Sequence, residues 1–290
     1  MEIIRTIEWM KQIARDSRAK EHVLGFVPTM GALHEGHFSL VRAAKQECSP
    51  VVASIFVNPH QFGAGEDLQK YPRRFERDAE ELEKLGVNYL FAPEASEMYP
   101  SGFRTHVSVE GLSDRLEGRS RPGHFRGVTT VVLKLFEIVQ PQRAYFGRKD
   151  AQQLRIIRQM VADLNLDAQV VACPIVREAD GLAMSSRNAY LQGNDRTAAT
   201  VLYRALSAAK KEIEAGELES GRLIESMRRV FNAVPSATLD YVEIVDVETL
   251  EPVLRVRKSC LALVAAFVGK TRLIDNAQIE TTEETVSVTL

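Results

Sequence analysis

Two histidines, His34 and His37, stand three residues apart in the run Pro28-Thr29-Met30-Gly31-Ala32-Leu33-His34-Glu35-Gly36-His37. A short apolar segment, Val23 to Val27, precedes the run, and a helix-like stretch, Phe38 to Gln46, follows it. A strand, a glycine-bearing turn and a helix start, in that order, present backbone N–H groups and a positive helix end to an anion. Two imidazoles added there suit phosphate oxygens that gain negative charge during a reaction. A zinc reading is weaker. The protease form needs His-Glu-x-x-His on one continuous helix, Gly36 interrupts this run, and no nearby Cys or His offers a third ligand. No protein side chains are therefore assigned to a metal.

The elements around this run must hold it at the end of a strand. Val51 to Val57 is a β-branched run fit for a strand buried on both faces. Phe75 to Leu85 reads as a charged helix stopped by Gly86, and Tyr89 to Ala92 as a short strand ended by Pro93. Val128 to Val139 has helical apolar spacing and stops before Pro141. Ala144 to Phe146 is a strand, Ala151 to Leu164 a helix, and Ala168 to Val176 a further strand. This βαβ succession predicts a Rossmann-like parallel sheet covered on both faces, with ligands at the carboxyl ends of its strands. After about residue 180 the texture changes. One long helix is expected over Asp195 to Gly216, capped by Asn194 or Asp195, and another over Ser220 to Val234. Strands follow at Tyr241–Val245, Leu261–Val268 and Arg272–Ile279, the last two as a hairpin through Gly269-Lys270. The expectation is an α/β protein with a nucleotide-binding domain over 1–178 and a smaller α+β C-terminal domain over 179–290. The polar tail Thr281 to Leu290 is expected to fray.

Composition narrows the partners. The chain has 290 residues, 45% hydrophobic and 26% charged, which is ordinary for a globular protein. Its formal net charge of -2, with no block of Lys and Arg, speaks against nucleic acid. Cys48, Cys173 and Cys260 are odd in number and far apart, so a disulfide framework is not expected and a cytoplasmic location is the simplest reading. No basic-then-apolar leader and no apolar run of about 18 residues is present, so neither a secretory signal nor a membrane span is expected.

Three further loops fall at the same predicted sheet edge. Asn58-Pro59-His60-Gln61-Phe62 ends a buried strand and offers amide donors and acceptors from Asn58 and Gln61. Gly147-Arg148-Lys149-Asp150 runs from strand to helix, with Lys149 able to reach a triphosphate and Gln153 one turn further on. Met184-Ser185-Ser186-Arg187 follows the last strand and supplies two hydroxyls and a guanidinium to a polyphosphate. A basic loop, Arg119 to Gly127, could hold a phosphate or carboxylate through arginine. Each also has a plainer reading as a solvated loop or surface charge pair. Neither Gly118 to His124 nor Gly269-Lys270-Thr271 completes a Walker A, and no Gly-x-Gly-x-x-Gly opens the chain.

Together these runs carry a resemblance. His-x-Gly-His alone is shared by class I aminoacyl-tRNA synthetases and nucleotidylyltransferases. Pro28 to His37, Ile55 to Phe62, Gly147 to Asp150 with Gln152-Gln153-Leu154, and Arg177 to Asn188 together resemble the pantoate–β-alanine ligase family. The likeness covers nearly the whole chain and weakens after about residue 195. It implies condensation of pantoate with β-alanine, driven by ATP with Mg²⁺ through a pantoyl adenylate, in a homodimer. It implies an ATP site at Met30, Gly31, His34, Gly36 and His37, completed by Gly147, Arg148, Lys149, Asp150, Val176, Met184, Ser185, Ser186 and Arg187. Gln61 and Gln153 would hold pantoate, with Gln61 also near β-alanine, and Asn58 and Arg121 beside them. His34, His37, Lys149 and Arg187 would do the chemistry, and the C-terminal domain would act as a lid. The chain departs from the family pattern at Arg148 (usually Glu), Ala151 (usually aromatic) and His60 (usually apolar). Other readings are a nucleotidylyltransferase, an aminoacyl-tRNA synthetase fragment and a non-catalytic nucleotide-binding module.

Overall fold

The computed structural model describes residues 1–63, 65–282 and 285–290. The chain forms two units, one of residues 1–148 and 152–174, the other of residues 149–151 and 175–290.

The first unit runs β1 (Glu2–Ile4), α1 (Ile7–Ala19), β2 (Gly25–Thr29), α2 (Glu35–Glu47), β3 (Val51–Ile55), α3 (Phe75–Lys84), β4 (Tyr89–Phe91), α4 (Ala95–Met98), α5 (Glu117–Ser120), α6 (His124–Val139), β5 (Arg143–Gly147), α7 (Ala151–Asp163) and β6 (Gln169–Cys173). Its six strands are all parallel, in the order β1-β4-β3-β2-β5-β6. The span β4-β3-β2-β5-β6 is the doubly wound order, and the direction of winding reverses between β2 and β5. β2 pairs with β3 as far as Thr29 but with β5 only through Gly25 and Phe26, so the sheet opens at that reversal. Pro28 lies in the opened part, where its missing N–H costs no bond to β5. Val51, Val52 and Ala53 of β3 are fully buried, as a central parallel strand requires. One buried cluster joins Val27 and Ala53 of the sheet to Leu40, Val41 and Ala44 of α2 and Leu82 of α3. Elsewhere in the unit Phe26, Phe136 and Phe146 meet edge to face.

The first 20 residues carry two elements beyond those expected. β1 is three residues long, too short for a periodicity signal, and α1 starts at a Thr6 cap whose hydroxyl accepts from the Trp9 N–H. The basic loop also differs from expectation. α5 occupies Glu117–Ser120, and α6 begins at His124 rather than Val128, because Gly123 takes the left-handed conformation that starts it.

The second unit holds α8 (Gly193–Ala198), α9 (Val201–Glu214), α10 (Ser220–Asn232), β7 (Ala237–Asp246), β8 (Ser259–Val268), β9 (Thr271–Thr281) and β10 (Val286–Thr289). Its four strands form an antiparallel sheet ordered β10-β9-β8-β7, with the β8–β9 hairpin at Gly269-Lys270 as expected. A buried cluster packs Leu202, Leu206 and Ile213 of α9 and Met227 of α10 on Val242, Val264 and Ile279 of the sheet. Three expectations need correction. The single helix over Asp195–Gly216 is two, since the Thr200 hydroxyl and N–H turn back onto the Thr197 carbonyl and break the helical ladder. Gln192, not Asn194 or Asp195, stands at the start of α8. The tail does not simply fray: Val286–Thr289 pairs with β9 as an edge strand. Glu283 and Glu284 of that tail lie outside the described residues. Among the described residues no helix is long and apolar enough to cross a membrane.

Candidate active site

The loop from β2 to α2 is fixed by its backbone. Thr29 Oγ1 donates to the Ser54 carbonyl (2.6 Å) and accepts from the Gly31 N–H (3.1 Å). Gly31 (φ 81°) and Ala32 (φ 51°) take left-handed conformations, and a Cβ on Gly31 would sit 3.1 Å from Ile55 and 3.2 Å from Asp78. Asp78 of α3, 2% exposed, accepts the Ala32 N–H (2.7 Å) with one oxygen and the Leu33 N–H (3.0 Å) with the other. Burial raises its pKa, against the opposing pull of those N–H groups and of Arg74 and Arg77.

His34 and His37 then form a capping box with imidazoles in place of the usual Ser and Glu. His34 is the cap of α2, and its Nδ1 accepts from the Gly36 N–H (3.2 Å). His37 Nδ1 accepts from the His34 N–H (3.4 Å), and the two rings lie 4.1 Å apart. A nitrogen that accepts from a backbone N–H carries no proton, so in each neutral ring the proton sits on Nε2. The helix cap thereby turns both half-buried rings into Nε2–H donors beside a helix N-terminus.

Gln61 ends a short 3-10 turn, Pro59–Gln61. It is 9% exposed, accepts from Asn58 Nδ2 (3.1 Å) and donates to the Met30 sulfur (2.9 Å), so it lies against the histidine loop. Asn58, 1% exposed, spends its amide internally. Nδ2 also donates to the Gly127 carbonyl (3.1 Å), and Oδ1 accepts from Tyr99 Oη (2.8 Å) and the His60 N–H (3.3 Å). Arg121 binds Glu66 with two nitrogens (3.0 and 2.5 Å) and reaches His124 (3.0 Å) and the Gln61 carbonyl (3.4 Å). Gly147 ends β5, across the sheet opening from β2, and Arg148 begins the 3-10 turn Arg148–Asp150 that follows. Gln152 is buried and staples the carbonyls of Leu112 and Arg115 and the Glu117 N–H, whereas Gln153 beside it is half-buried.

The second unit gathers the other expected residues around β9. Asn276 Nδ2 donates to the Lys149 carbonyl (2.8 Å), and Lys149 Nζ lies 3.7 Å from Asp150. Next to Asn276, Asp275 binds Arg177 through two oxygens (2.7 and 3.0 Å). Arg177 also donates to the Gly181 carbonyl (3.0 Å). The 176–184 loop folds back on itself, Met184 N–H to Val176 carbonyl (2.9 Å). Ser185 then caps the 3-10 turn Ser186–Tyr190 by accepting from the Arg187 N–H (3.2 Å), which leaves its own proton able to donate.

Known proteins bear on these two groups of residues. Residues 2–278 match the family model described as pantoate-beta-alanine ligase. The chain belongs to that family. It is 54% identical over 280 residues to the pantothenate synthetase of Caldicellulosiruptor saccharolyticus, covering 97% of this chain and 100% of the relative. It is 55% identical over 280 residues to that of Heliobacterium modesticaldum, again at 97% and 100%. Pantothenate synthetase of Thermus thermophilus has a crystal structure that superposes with TM-score 0.90 at 48% identity, covering 95% of this chain and 98% of that one. Pantoate-beta-alanine ligase of Francisella tularensis, solved with beta-gamma ATP and beta-alanine, superposes with TM-score 0.78 at 36% identity, covering 98% of each chain. Membership in the pantoate-beta-alanine ligases replaces the nucleotidylyltransferase, synthetase-fragment and non-catalytic readings.

Several positioning residues of this family member were not read from sequence. Asp78 was hidden in a helix that is charged on most faces, although its spacing of four from buried Leu82 marks an inward position. Asp275 had a clearer signal, since it alternates with Leu273, Ala277 and Ile279 on the buried face of β9. His124 and Asn276 had none.

Proposed function

We propose that this pantoate–β-alanine ligase joins (R)-pantoate to β-alanine through a pantoyl adenylate, making pantothenate, AMP and pyrophosphate. A carboxylate is a poor acyl donor, because its charge repels an amine and oxide leaves badly. One pantoate carboxylate oxygen attacks the α-phosphorus of ATP, and the bond to the bridging oxygen of pyrophosphate breaks. The β-alanine amine then attacks the acyl carbon, AMP departs with the former carboxylate oxygen, and the amine loses its proton. Both steps need charge on phosphate oxygens stabilised by groups already in position.

The observation that carries this reading is the imidazole capping box, which sets two Nε2–H donors at the opened end of a parallel sheet. We assign His37 as donor to the phosphate and His34 as its partner, with Met30, Gly31 and Gly36 forming the main-chain cradle. Gly147, Arg148, Asp150 and Val176 are assigned to the nucleoside, and Lys149 and Met184–Arg187 to the phosphates. Gln61 and Gln153 are assigned to pantoate. Asn58 and Arg121, expected as substrate contacts, have their polar atoms committed to neighbouring residues, which supports a role in holding Gln61. The C-terminal unit is assigned the role of a lid during adenylation. Among the described residues no cluster of three or more His, Cys, Asp or Glu could cage a metal. Mg²⁺ is expected to come with ATP, where it would neutralise phosphate charge, and no step is assigned to it. A cytoplasmic homodimer is part of the same proposal.

The test is isotope exchange between pyrophosphate and ATP, run beside AMP release. Exchange that requires pantoate but not β-alanine, and AMP release that requires both acids, is the expected result. Exchange without pantoate, or AMP release only when all substrates are mixed with no exchange at all, would remove the adenylate.

A further inference from the structure

We infer that His124 is a positioning residue for this reaction: it holds the main chain of Gln61, with Arg121 and Glu66 holding His124 in turn. The inference rests on the proposed role of Gln61 toward pantoate.

Gln61 ends a turn of only three residues. Its carbonyl accepts from His124 Nδ1 at 2.9 Å. A carbonyl only accepts, so Nδ1 carries the proton. Arg121 Nη1 lies 3.0 Å from His124 Nε2, and a guanidinium only donates, so Nε2 is the bare nitrogen. Both assignments agree on one neutral tautomer. Burial, and then the Arg121 charge, push the pKa of this ring down to about 4, which keeps it in that form at neutral pH. Arg121 is aimed by Glu66, which takes its Nε and Nη2. The four residues make a directed series from Glu66 through Arg121 and His124 to the Gln61 carbonyl.

The helix behind the turn is keyed to the same place. A Cβ on Gly127 would lie 2.2 Å from the His60 carbonyl oxygen and 2.7 Å from Gln61 Cα, so only glycine lets α6 approach this closely. Asn58 closes the contact by donating to the Gly127 carbonyl. The first turn of α6 therefore grips the 58–61 turn at two points, His124 and Gly127.

Two substitutions separate the contacts of His124. His124→Asn keeps a nitrogen donor at the Nδ1 position and drops the Nε2 acceptor. His124→Gln keeps an acceptor near Nε2 and drops the Nδ1 donor. Kinetics of the full chain are measured with pantoate, β-alanine and ATP varied separately, for both variants, for Gln61→Ala, and for Gln61→Ala with His124→Gln. The expected result is a pantoate KM raised about five- to tenfold in His124→Gln and within about twofold in His124→Asn, the scale of one neutral hydrogen bond. KM for ATP stays unchanged in both. On the Gln61→Ala background His124→Gln adds less than about twofold, because its effect passes through Gln61. Equal effects of Asn and Gln, an equal rise in the ATP KM, or an undiminished effect on the Gln61→Ala background would overturn the inference. A normal pantoate KM in Gln61→Ala alone would strike the Gln61 assignment itself and take the inference with it.

Discussion

The two units secure the residues assigned above to ligands by different means. In the first, the groups that hold the site act on main-chain atoms. Asp78 takes two N–H groups of the histidine loop, the imidazoles cap their own helix, and His124 takes the Gln61 carbonyl. In the second, a buried ion pair between Arg177 and Asp275, 98 residues apart, sits beside the hydrogen bond from the Asn276 side chain to the Lys149 carbonyl. Main-chain anchoring spreads the load over several hydrogen bonds. Ion-pair anchoring concentrates the load on two charged groups, so one substitution can undo it.

That contrast sets the largest expected effect. Asp275→Ala leaves the Arg177 guanidinium, 13% exposed, without its carboxylate. Loss of one member of a buried pair costs about 3–5 kcal/mol, so denaturant unfolding should show a destabilisation on that scale. The KM for ATP should rise with it, since Asn276 and Lys149 lose their support. A change under about 1 kcal/mol, the value of an exposed pair, would mean that the two units are anchored alike.

His37→Ala tests the first unit. Rapid-quench measurement of adenylate formation should show a loss of about two to three orders of magnitude, the scale for one preorganised donor. The same change also deletes the acceptor for the His34 N–H, worth about 1 kcal/mol of helix stability. His37→Gln separates the two roles, because glutamine at this position can take the cap N–H but offers no imidazole. Stability should return in His37→Gln and the rate should not. Near-normal single-turnover adenylation in either variant would take His37 out of the chemistry.

How much was legible in the sequence follows the same division. The strand–turn–helix run at His34 and His37, the buried β3 and the loops after β3 and β5 are local patterns, and the parallel sheet with its antiparallel companion came out as expected. What escaped depends on distance along the chain. Glu66, Arg121 and His124 meet across a loop whose sequence looks like a solvated basic run, and their partner is a carbonyl that no side-chain pattern encodes. The break between α8 and α9 turns on whether the Thr197 carbonyl is claimed by Thr200, which helix propensity does not decide. Element ends moved for a related reason. β2 runs on through Pro28 because β3 pairs with it there while β5 has already parted from it.

The smallest effect concerns the titration of the first unit's anchor. Burial and the neighbouring Arg121 lower the His124 pKa from 6.5 to about 4. Between those values the unfolded chain binds a proton that the folded chain refuses, so stability is full above about 6.5 and falls as pH drops toward about 4. Each pH unit of such a window is worth up to about 1.4 kcal/mol, and partial exposure of the ring trims the total to roughly 2 kcal/mol. His60, lowered by burial and by His106 and Arg126, contributes with the same sign. His124→Asn removes only the first contribution while keeping a donor for the Gln61 carbonyl. Thermal melts at steps from pH 7 to about 4 should therefore show a shallower loss in His124→Asn than in the unaltered chain. Parallel curves would mean that the folded ring takes up a proton in this range as readily as the unfolded one. Nε2 would then carry a proton against the Arg121 guanidinium, and the directed series that aims Gln61 could not stand.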